Sequence, residues 1–341
     1  MSQLAITFIN PRLSTKNVGD LFIEDSVKSI INYDPERSID IDCRKPLCSR
    51  QIDQINQCDA AIIVGTNLWY QHITKANRWM ITVDDLKRIK VPFIPFGVGA
   101  TVHRNANDDF DKESLILLQQ IHSQCTEASV RDPKTFKMVK KAGISNVRMT
   151  GCPTLYRSLK PSWELQKKNS KNVVVTARKG QDSNIQIILN ELRKQKKKPI
   201  IAAQKKNDLY CARRRFPFLK AGPEVLYDFN IEPYLSLVEN TYGTIGWRLH
   251  GNMLHLAHGK PTVFFANCSR VRSFCEAYSL PCIYAEDGEK VTEVDLIKAV
   301  DHLLTADIFS AFPSRYAEFY QEMIKFLESN GLAHNLDNTS Y

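Results

Sequence analysis

Tyr242-Gly243-Thr244-Ile245-Gly246-Trp247-Arg248-Leu249-His250-Gly251-Asn252 decides how this chain is read, because within it a strand-like segment hands over to a helix-like one. Tyr242 to Trp247 reads as the strand, and Leu249 to Ala257 as the helix, before the segment closes on Gly259-Lys260-Pro261. The junction sets a permanent cation, Arg248, two residues from a titratable imidazole, His250. Open α/β sheets bind ligands there, beyond the carboxyl end of a strand and at the exposed N–H groups of the next helix. An anionic substrate that also needs a proton is the first expectation.

Strand-like and helix-like segments alternate along the whole chain, the pattern of parallel βαβ units. Strands are expected at Leu4 to Ile9, Ser38 to Ile41, Ala60 to Val64, Val91 to Phe96, Ala128 to Val130 and Val147 to Met149. Helices fall between them, for example at Leu21 to Ile31 and Lys112 to His122. Continuous apolar runs such as Ala60-Ala61-Ile62-Ile63-Val64 suit strands buried on both faces. The polar stretch Lys160 to Lys171 breaks the rhythm, after which Asn172-Val173-Val174-Val175-Thr176-Ala177 restarts it. The expected organisation is a Rossmann-like domain at 1–158, a linker at 159–171, a second Rossmann-like domain at 172–330 and a frayed tail at 331–341. Parallel sheets in both domains would face a central cleft.

A length of 341 residues suits two domains. Hydrophobic residues at 43% and charged ones at 24% are the balance of an ordinary folded protein. The net charge of +9 favours acidic partners: phosphorylated metabolites, anionic glycans or a membrane surface. Basic runs such as Arg193 to Lys198 and Arg213-Arg214-Arg215 lack interleaved aromatics, and no zinc-finger or RRM signature is present, so nucleic acid is not the expected partner. Nine scattered cysteines without a Cys-x-x-Cys pair read as reduced thiols. Leu4 to Ile9 is too short for a signal core, and no segment reaches 18 apolar residues. A cytoplasmic protein is expected, with peripheral contact at the inner face of the membrane through its basic surface.

Several further constellations are candidates for chemistry. Asn17-Val18-Gly19-Asp20 precedes a helix, where Gly19 allows a tight turn. Asp20 is there either a helix-start acid that complements the dipole or a group that binds or deprotonates an acceptor hydroxyl. Gly97-Val98-Gly99 lacks the full dinucleotide fingerprint, so a nicotinamide cofactor is poorly supported. Gly97 and Gly99 are expected to let backbone approach a ligand, with His103 in the same loop. Arg131, in Ser129-Val130-Arg131-Asp132-Pro133, and Arg178, after the strand at Val173 to Ala177, stand at strand ends and offer guanidinium forks for carboxylate or phosphate. His250, His255 and His258 do not share one helical face, which argues against zinc. His255 and His258 read as packing or surface residues.

Taken in order, Asn17-x-Gly19-Asp20, Ser129-Val130-Arg131-Asp132, Thr150-Gly151-Cys152-Pro153-Thr154 and Gly246-Trp247-Arg248-Leu249-His250-Gly251 through Gly259-Lys260-Pro261 resemble the polysaccharide pyruvyl transferase family over residue 4 to about 285. The Arg-Leu-His segment with its downstream Gly-Lys-Pro is the most specific part. The resemblance implies a GT-B-like pair of Rossmann-like domains, the first on the acceptor side and the second on the donor side. It implies transfer of a pyruvyl group from phosphoenolpyruvate to a sugar as a ketal, with phosphate release. Arg131, Arg248 and His250 would contact the donor, and Leu249 would form pocket wall between the last two. No metal is implied, and no cofactor beyond phosphoenolpyruvate as co-substrate. The sugar acceptor would be lipid-linked, nucleotide-linked or polymeric.

The chemistry of the residues agrees with this. Phosphoenolpyruvate joins a phosphate of about −1.5 to −2 charge to a carboxylate, and two arginines with a helix N-terminus suit both. Ketal formation needs a proton at the terminal methylene, which an imidazole held protonated by donor anions can supply. Two other readings stand beside it: a GT-B glycosyltransferase using a nucleotide-activated sugar, and a non-catalytic polyanion-binding protein. Acceptor contacts are expected from the first domain, with Asp20, Trp69 and His103 as candidates.

Overall fold

The computed structural model describes residues 3–75, 77–101, 109–166, 168–209, 224–266, 269–284, 291–305 and 309–337; His103, Cys211, Cys268 and Arg213–Arg215 lie outside them. Two compact units form. Unit one comprises Met1–Thr15, Ile23–Pro161 and Ala317–Tyr341, and unit two Lys16–Phe22 and Ser162–Tyr316.

In unit one the strands β1 (Ile6–Asn10), β2 (Ile39–Asp42), β3 (Ala60–Val64) and β5 (Phe93–Phe96) make a parallel sheet in the order β2-β1-β3-β5. All five residues of β3 are buried, as its unbroken apolar run requires of a strand covered on both faces. Short parallel pairs flank this sheet: β4 (Asn67–Tyr70) with β6 (Gly99–Thr101), and β7 (Ala128–Val130) with β8 (Val147–Met149). The unit's helices are most of α1 (Val18–Ile30), α2 (Ser49–Ile55), α3 (Val83–Arg88), α4 (Lys112–His122) and α5 (Pro133–Lys141). Trp69 is 1% exposed and sits in the apolar cluster of this unit, which makes it a core residue instead of an acceptor contact.

Unit two holds one six-stranded parallel sheet of β9 (Asn172–Thr176), β10 (Lys198–Ala202), β11 (Glu224–Leu226), β12 (Gly243–Gly246), β13 (Thr262–Ala266) and β14 (Cys282–Tyr284). Its order, β11-β10-β9-β12-β13-β14, is the 3-2-1-4-5-6 sequence of a doubly wound dinucleotide-binding sheet. Strand alternation sends Val173 and Val175 into one apolar layer and Val174 into the other. The first layer is covered by α6 (Asp182–Lys194) through Ile185, Ile188, Leu189 and Leu192, and by α10 (Glu293–Thr305) through Leu296, Ala299, Val300 and Leu303. On the second lie α7 (Glu232–Glu239) through Tyr234 and Val238, and α8 (Leu249–Ala257) through Leu254. The helices α9 (Ser269–Tyr278) and α11 (Phe312–Ser329) complete the chain, α11 starting in unit two and continuing in unit one.

Domain bounds differ from the sequence expectation in three places, each for a visible reason. Lys16–Phe22 belongs to unit two: Val18 donates its N–H to the Gln204 carbonyl at 2.9 Å, Asn17 bridges Lys205, and Val18, Leu21 and Phe22 join the cluster around Val174. The expected linker is divided: 159–161 stay in unit one, and from Ser162 on it is docked in unit two. Trp163 is 5% exposed, donates from Nε1 to the Leu256 carbonyl at 2.6 Å and meets the Phe312 ring edge-on at 4.8 Å. The expected tail is tied into unit one as far as it is described. Asn335 donates its N–H to the Ile30 carbonyl at 2.8 Å, and Leu332 and Leu336 are buried. No described helix is long and apolar enough to cross a membrane.

Candidate functional site

The strand order of unit two reverses between β9 and β12, and open α/β sheets take ligands beyond the carboxyl ends of strands at such a point. Thr176 ends β9 and Gly246, its register partner, ends β12. Gly246 has φ +150°, and a Cβ there would strike the Thr176 backbone and hydroxyl, so only glycine lets the two strand ends close up. Thr176 is then the hub of the junction. Its carbonyl accepts from Trp247 N at 3.1 Å, and its hydroxyl accepts from Arg248 N at 3.2 Å and donates to Asn252 Oδ1 at 2.7 Å.

Arg248 is the N-cap of α8, with extended backbone and no side-chain cap, so the first N–H groups of the helix lack both a preceding turn and a capping oxygen from Arg248. Its guanidinium, 17% exposed at the side chain, donates from Nε to the Ala177 carbonyl at 3.3 Å and from Nη2 to Asp208 Oδ1. Asp208 is fully buried and also accepts from Lys179 N at 3.2 Å and Lys205 N at 3.0 Å. One carboxylate therefore orients the arginine and the loops after β9 and β10. Leu249 is buried, and His250 is half-buried on the same first turn. Further along the helix, Asn252 is fully buried, with Nδ2 donating to the Gly246 and Val263 carbonyls at 3.0 and 3.3 Å; it fixes α8 to three strands.

Lys16–Phe22 brings the N-terminal motif to this turn. A Cβ on Gly19 would lie 3.2 Å from His250 Nδ1 and 3.1 Å from Gln204 Oε1, so the bare glycine is what leaves room for the imidazole. Asn17 donates from Nδ2 to Asp20 Oδ1 at 3.1 Å, and Asp20 N donates to the Asn17 carbonyl at 3.0 Å. Asp20 thus serves the start of α1, at 9% exposure. Arg178, just past β9, is half-buried. His255 is 2% exposed, with Nδ1 2.9 Å from the Gly251 carbonyl; burial pushes its pKa down to about 4, the behaviour of a neutral packing residue. Gly259-Lys260-Pro261 lies at the other end of α8, about 13 Å away for nine residues, and turns the chain into β13. Gly259 has φ +73°, and its carbonyl accepts from Gln166 N at 2.7 Å, so this part of the motif is architectural.

The remaining candidates lie in unit one. Arg131 is 2% exposed; Nη2 donates to Asn67 Oδ1, and Nε stands 3.9 Å from Asp132 Oδ2. Asp132 caps α5, accepting from Thr135 N at 2.8 Å, with Pro133 opening the helix. Gly99 is bare because the Arg131 guanidinium occupies the space of a Cβ, and Gly97, at φ +64°, because the Pro153 ring does. Close approach at these glycines is made by the protein's own side chains, where a ligand was expected. Gln204, Asp208, Thr176 and Asn252 were not singled out from sequence. Thr176 ends β9, and Gln204 follows β10 by two residues; position beside the switch point was the available signal.

A family model described as polysaccharide pyruvyl transferase matches residues 14–269. No curated protein matches the chain in sequence. Among solved structures, the Methanocaldococcus jannaschii UDP-GlcNAc 2-epimerase in complex with UDP-GlcNAc and UDP is similar at 12% identity, with 94% of this chain and 99% of that one covered and a TM-score of 0.52. The Neisseria meningitidis UDP-GlcNAc 2-epimerase bound to UDP-GlcNAc gives 10% identity, 96% and 100% coverage and a TM-score of 0.52. A UDP-N-acetylglucosamine 2-epimerase from Rickettsia bellii gives 12%, 96% of each chain and 0.50. At these identities the likeness concerns the fold, which is α/β and GT-B-like with two Rossmann-like domains.

Proposed function

Because the chain belongs to the polysaccharide pyruvyl transferase family, we propose that it transfers the enolpyruvyl-derived group of phosphoenolpyruvate to a sugar of a glycan or glycan precursor as a ketal, with release of phosphate. The observation that carries the reading is the first turn of α8, where Arg248 and His250 stand together at the switch point of the unit-two sheet. Arg248 offers a guanidinium held in place by Asp208, and the helix N-terminus adds uncharged donors. Arg178 is a second cation for the donor phosphate. His250 gives a proton to the terminal methylene, which makes the central carbon electrophilic. Two sugar hydroxyls then form its two new C–O bonds while the C–O bond to phosphate breaks. Of the two hydroxyl protons, one restores the imidazolium and the other leaves with phosphate. Asp20 is proposed to take the second of these protons from its attacking hydroxyl and pass it to the departing phosphate, and Arg131 enters the proposal through the family resemblance.

The test is an incubation with phosphoenolpyruvate and candidate glycosides, including lipid-linked and nucleotide-linked ones, scored by phosphate release coupled to a pyruvyl mass gain on the sugar. General acid catalysis contributes roughly 10² to 10⁴ in rate, so His250→Ala is expected to lose turnover by that order with a smaller change in donor binding. Near-normal turnover in that variant removes His250 from the mechanism. Stabilisation by nucleotide sugars, with none by phosphoenolpyruvate, would replace the whole reading with that of a nucleotide-sugar enzyme.

A further inference from the structure

Gln204 is 3% exposed, and its side-chain Nε2 is buried without a hydrogen-bond partner. Its backbone is fixed, since the carbonyl accepts from Val18 N at 2.9 Å and the next residue bridges Asn17. The amide lies between two glycines. A Cβ on Gly251, the third residue of α8, would collide with Nε2, and one on Gly19 would press on both Gln204 Oε1 and His250 Nδ1. Nε2 is therefore set against the N-terminal turn of the helix, whose first N–H groups have no preceding helical turn to accept them. A buried amide without a partner is costly, and a neutral N–H₂ packed against the first turn of a helix suits an oxyanion.

We propose that Gln204 Nε2 and the first-turn N–H groups of α8 form one oxyanion subsite, which takes the carboxylate of the three-carbon donor. The inference rests on the donor reading above. Neutral donors suit a monoanionic carboxylate, whereas the more highly charged phosphate suits the guanidinium groups of Arg248 and Arg178. Connectivity points the same way: the carboxylate and the methylene of phosphoenolpyruvate are attached to the same carbon. A carboxylate held beside Gln204 keeps the methylene on the side where His250 stands. Gln204 is thus a positioning residue whose hydrogen bond decides which end of the donor faces the imidazole.

The experiment compares the full chain with Gln204→Met, which keeps length and removes the amide, in binding of phosphoenolpyruvate, pyruvate and inorganic phosphate, and in the Tm of the ligand-free protein. A hydrogen bond to a charged group corresponds to roughly tenfold to a hundredfold in affinity. Gln204→Met is expected to weaken phosphoenolpyruvate and pyruvate by that factor, to leave phosphate within twofold, and to raise the ligand-free Tm because an unpaired buried amide is gone. Unchanged binding of the two carboxylates overturns the inference, and so does a lower Tm, which would mark Gln204 as structural. Loss confined to phosphate overturns the carboxylate assignment. The donor reading fails separately: wild-type protein that binds pyruvate in a Gln204-dependent way but not phosphoenolpyruvate keeps the subsite and discards the donor.

Discussion

Asp208→Asn should disable the unit-two site at its support. The buried carboxylate accepts three hydrogen bonds, from Lys179 N, Lys205 N and Arg248 Nη2. Asparagine keeps one oxygen and turns a donor toward a place that needs an acceptor. At least one backbone N–H then faces a donor, a loss of about 1–3 kcal/mol, and the charged bond to Arg248 is weakened, a loss of about 1.5–3 kcal/mol. Water reaches the Arg248 side chain at 17% exposure and recovers part of the second loss. The expected destabilisation of unit two is about 2–4 kcal/mol, near the range for breaking one partner of a buried ion pair. At about 2–4 °C per kcal/mol for a unit of this size, its Tm should fall by roughly 4–16 °C. Calorimetry resolving the two units separately is the assay, combined with Arg248→Met in a double-mutant cycle. Coupling of about 1.5–3 kcal/mol is expected, with donor KM rising by a larger factor than kcat falls. Additive losses would refute the claim that Asp208 acts through Arg248. A lowered KM would show that its negative charge opposes the anion more than its grip on the arginine helps.

Acid should destabilise both units through buried neutral histidines. Burial lowers His255 in unit two and His122 in unit one to about 4, against about 6.5 when unfolded. Each contributes stability present above pH 6.5 and lost as pH falls from 6.5 toward 4, because only the unfolded chain takes up the proton there; the slope is roughly 1.4 kcal/mol per pH unit per histidine. His255→Gln should flatten the pH dependence of the unit-two Tm alone, and an unchanged slope would show that the imidazole is charged when folded. Gly19→Ala should separate stability from turnover. Alanine near the start of α1 gains up to about 1 kcal/mol in helix propensity, offset by a methyl 3.2 Å from His250 Nδ1 and 3.1 Å from Gln204 Oε1. The Tm is expected within a few degrees of wild type with kcat reduced at least tenfold, and full kcat would mean that the imidazole does not depend on that space.

Unbroken apolar runs made most of the fold readable. Ala60–Val64 and Asn172–Thr176 are strands at or within one residue of where the sequence puts them, because burial on both faces demands such composition. Three strands went unread: β4, β6 and β11 are three or four residues long, and pairing with a neighbour defines them more than any local pattern does. The glycines were legible only in part. Sequence says that Gly97 and Gly99 permit close approach, but not that Pro153 and Arg131 are what approaches. Asp132 as helix cap was open to local reading because Asp-Pro before a helix carries its own mechanism. Gln204 and Asp208 were not, since Gln204-Lys205-Lys206-Asn207-Asp208 looks like any basic loop until strand order sets the end of β10 next to that of β9.

The assignment of Lys16–Phe22 to unit two changes how the motifs relate. From sequence, Asn17 to Asp20 belongs to an acceptor domain and Arg248 to His250 to a donor domain, so the two would act from opposite sides. Within unit two they are neighbours instead: Val18 is bonded to Gln204, and the α-carbon of Gly19 faces His250. A segment distant in sequence thereby limits the volume around the proposed proton donor, and it does so with a residue that has no side chain. Asp20, held by Asn17 on the first turn of α1, is then a carboxylate of unit two itself. Asp208 already pairs with Arg248, so the proposed donor site is not a simple cationic trap. On the proposed reaction, an arginine so paired would hold a multiply charged donor less tightly than an unpaired one. Binding energy would then be left to be expressed as charge moves toward the departing phosphate of the proposed donor.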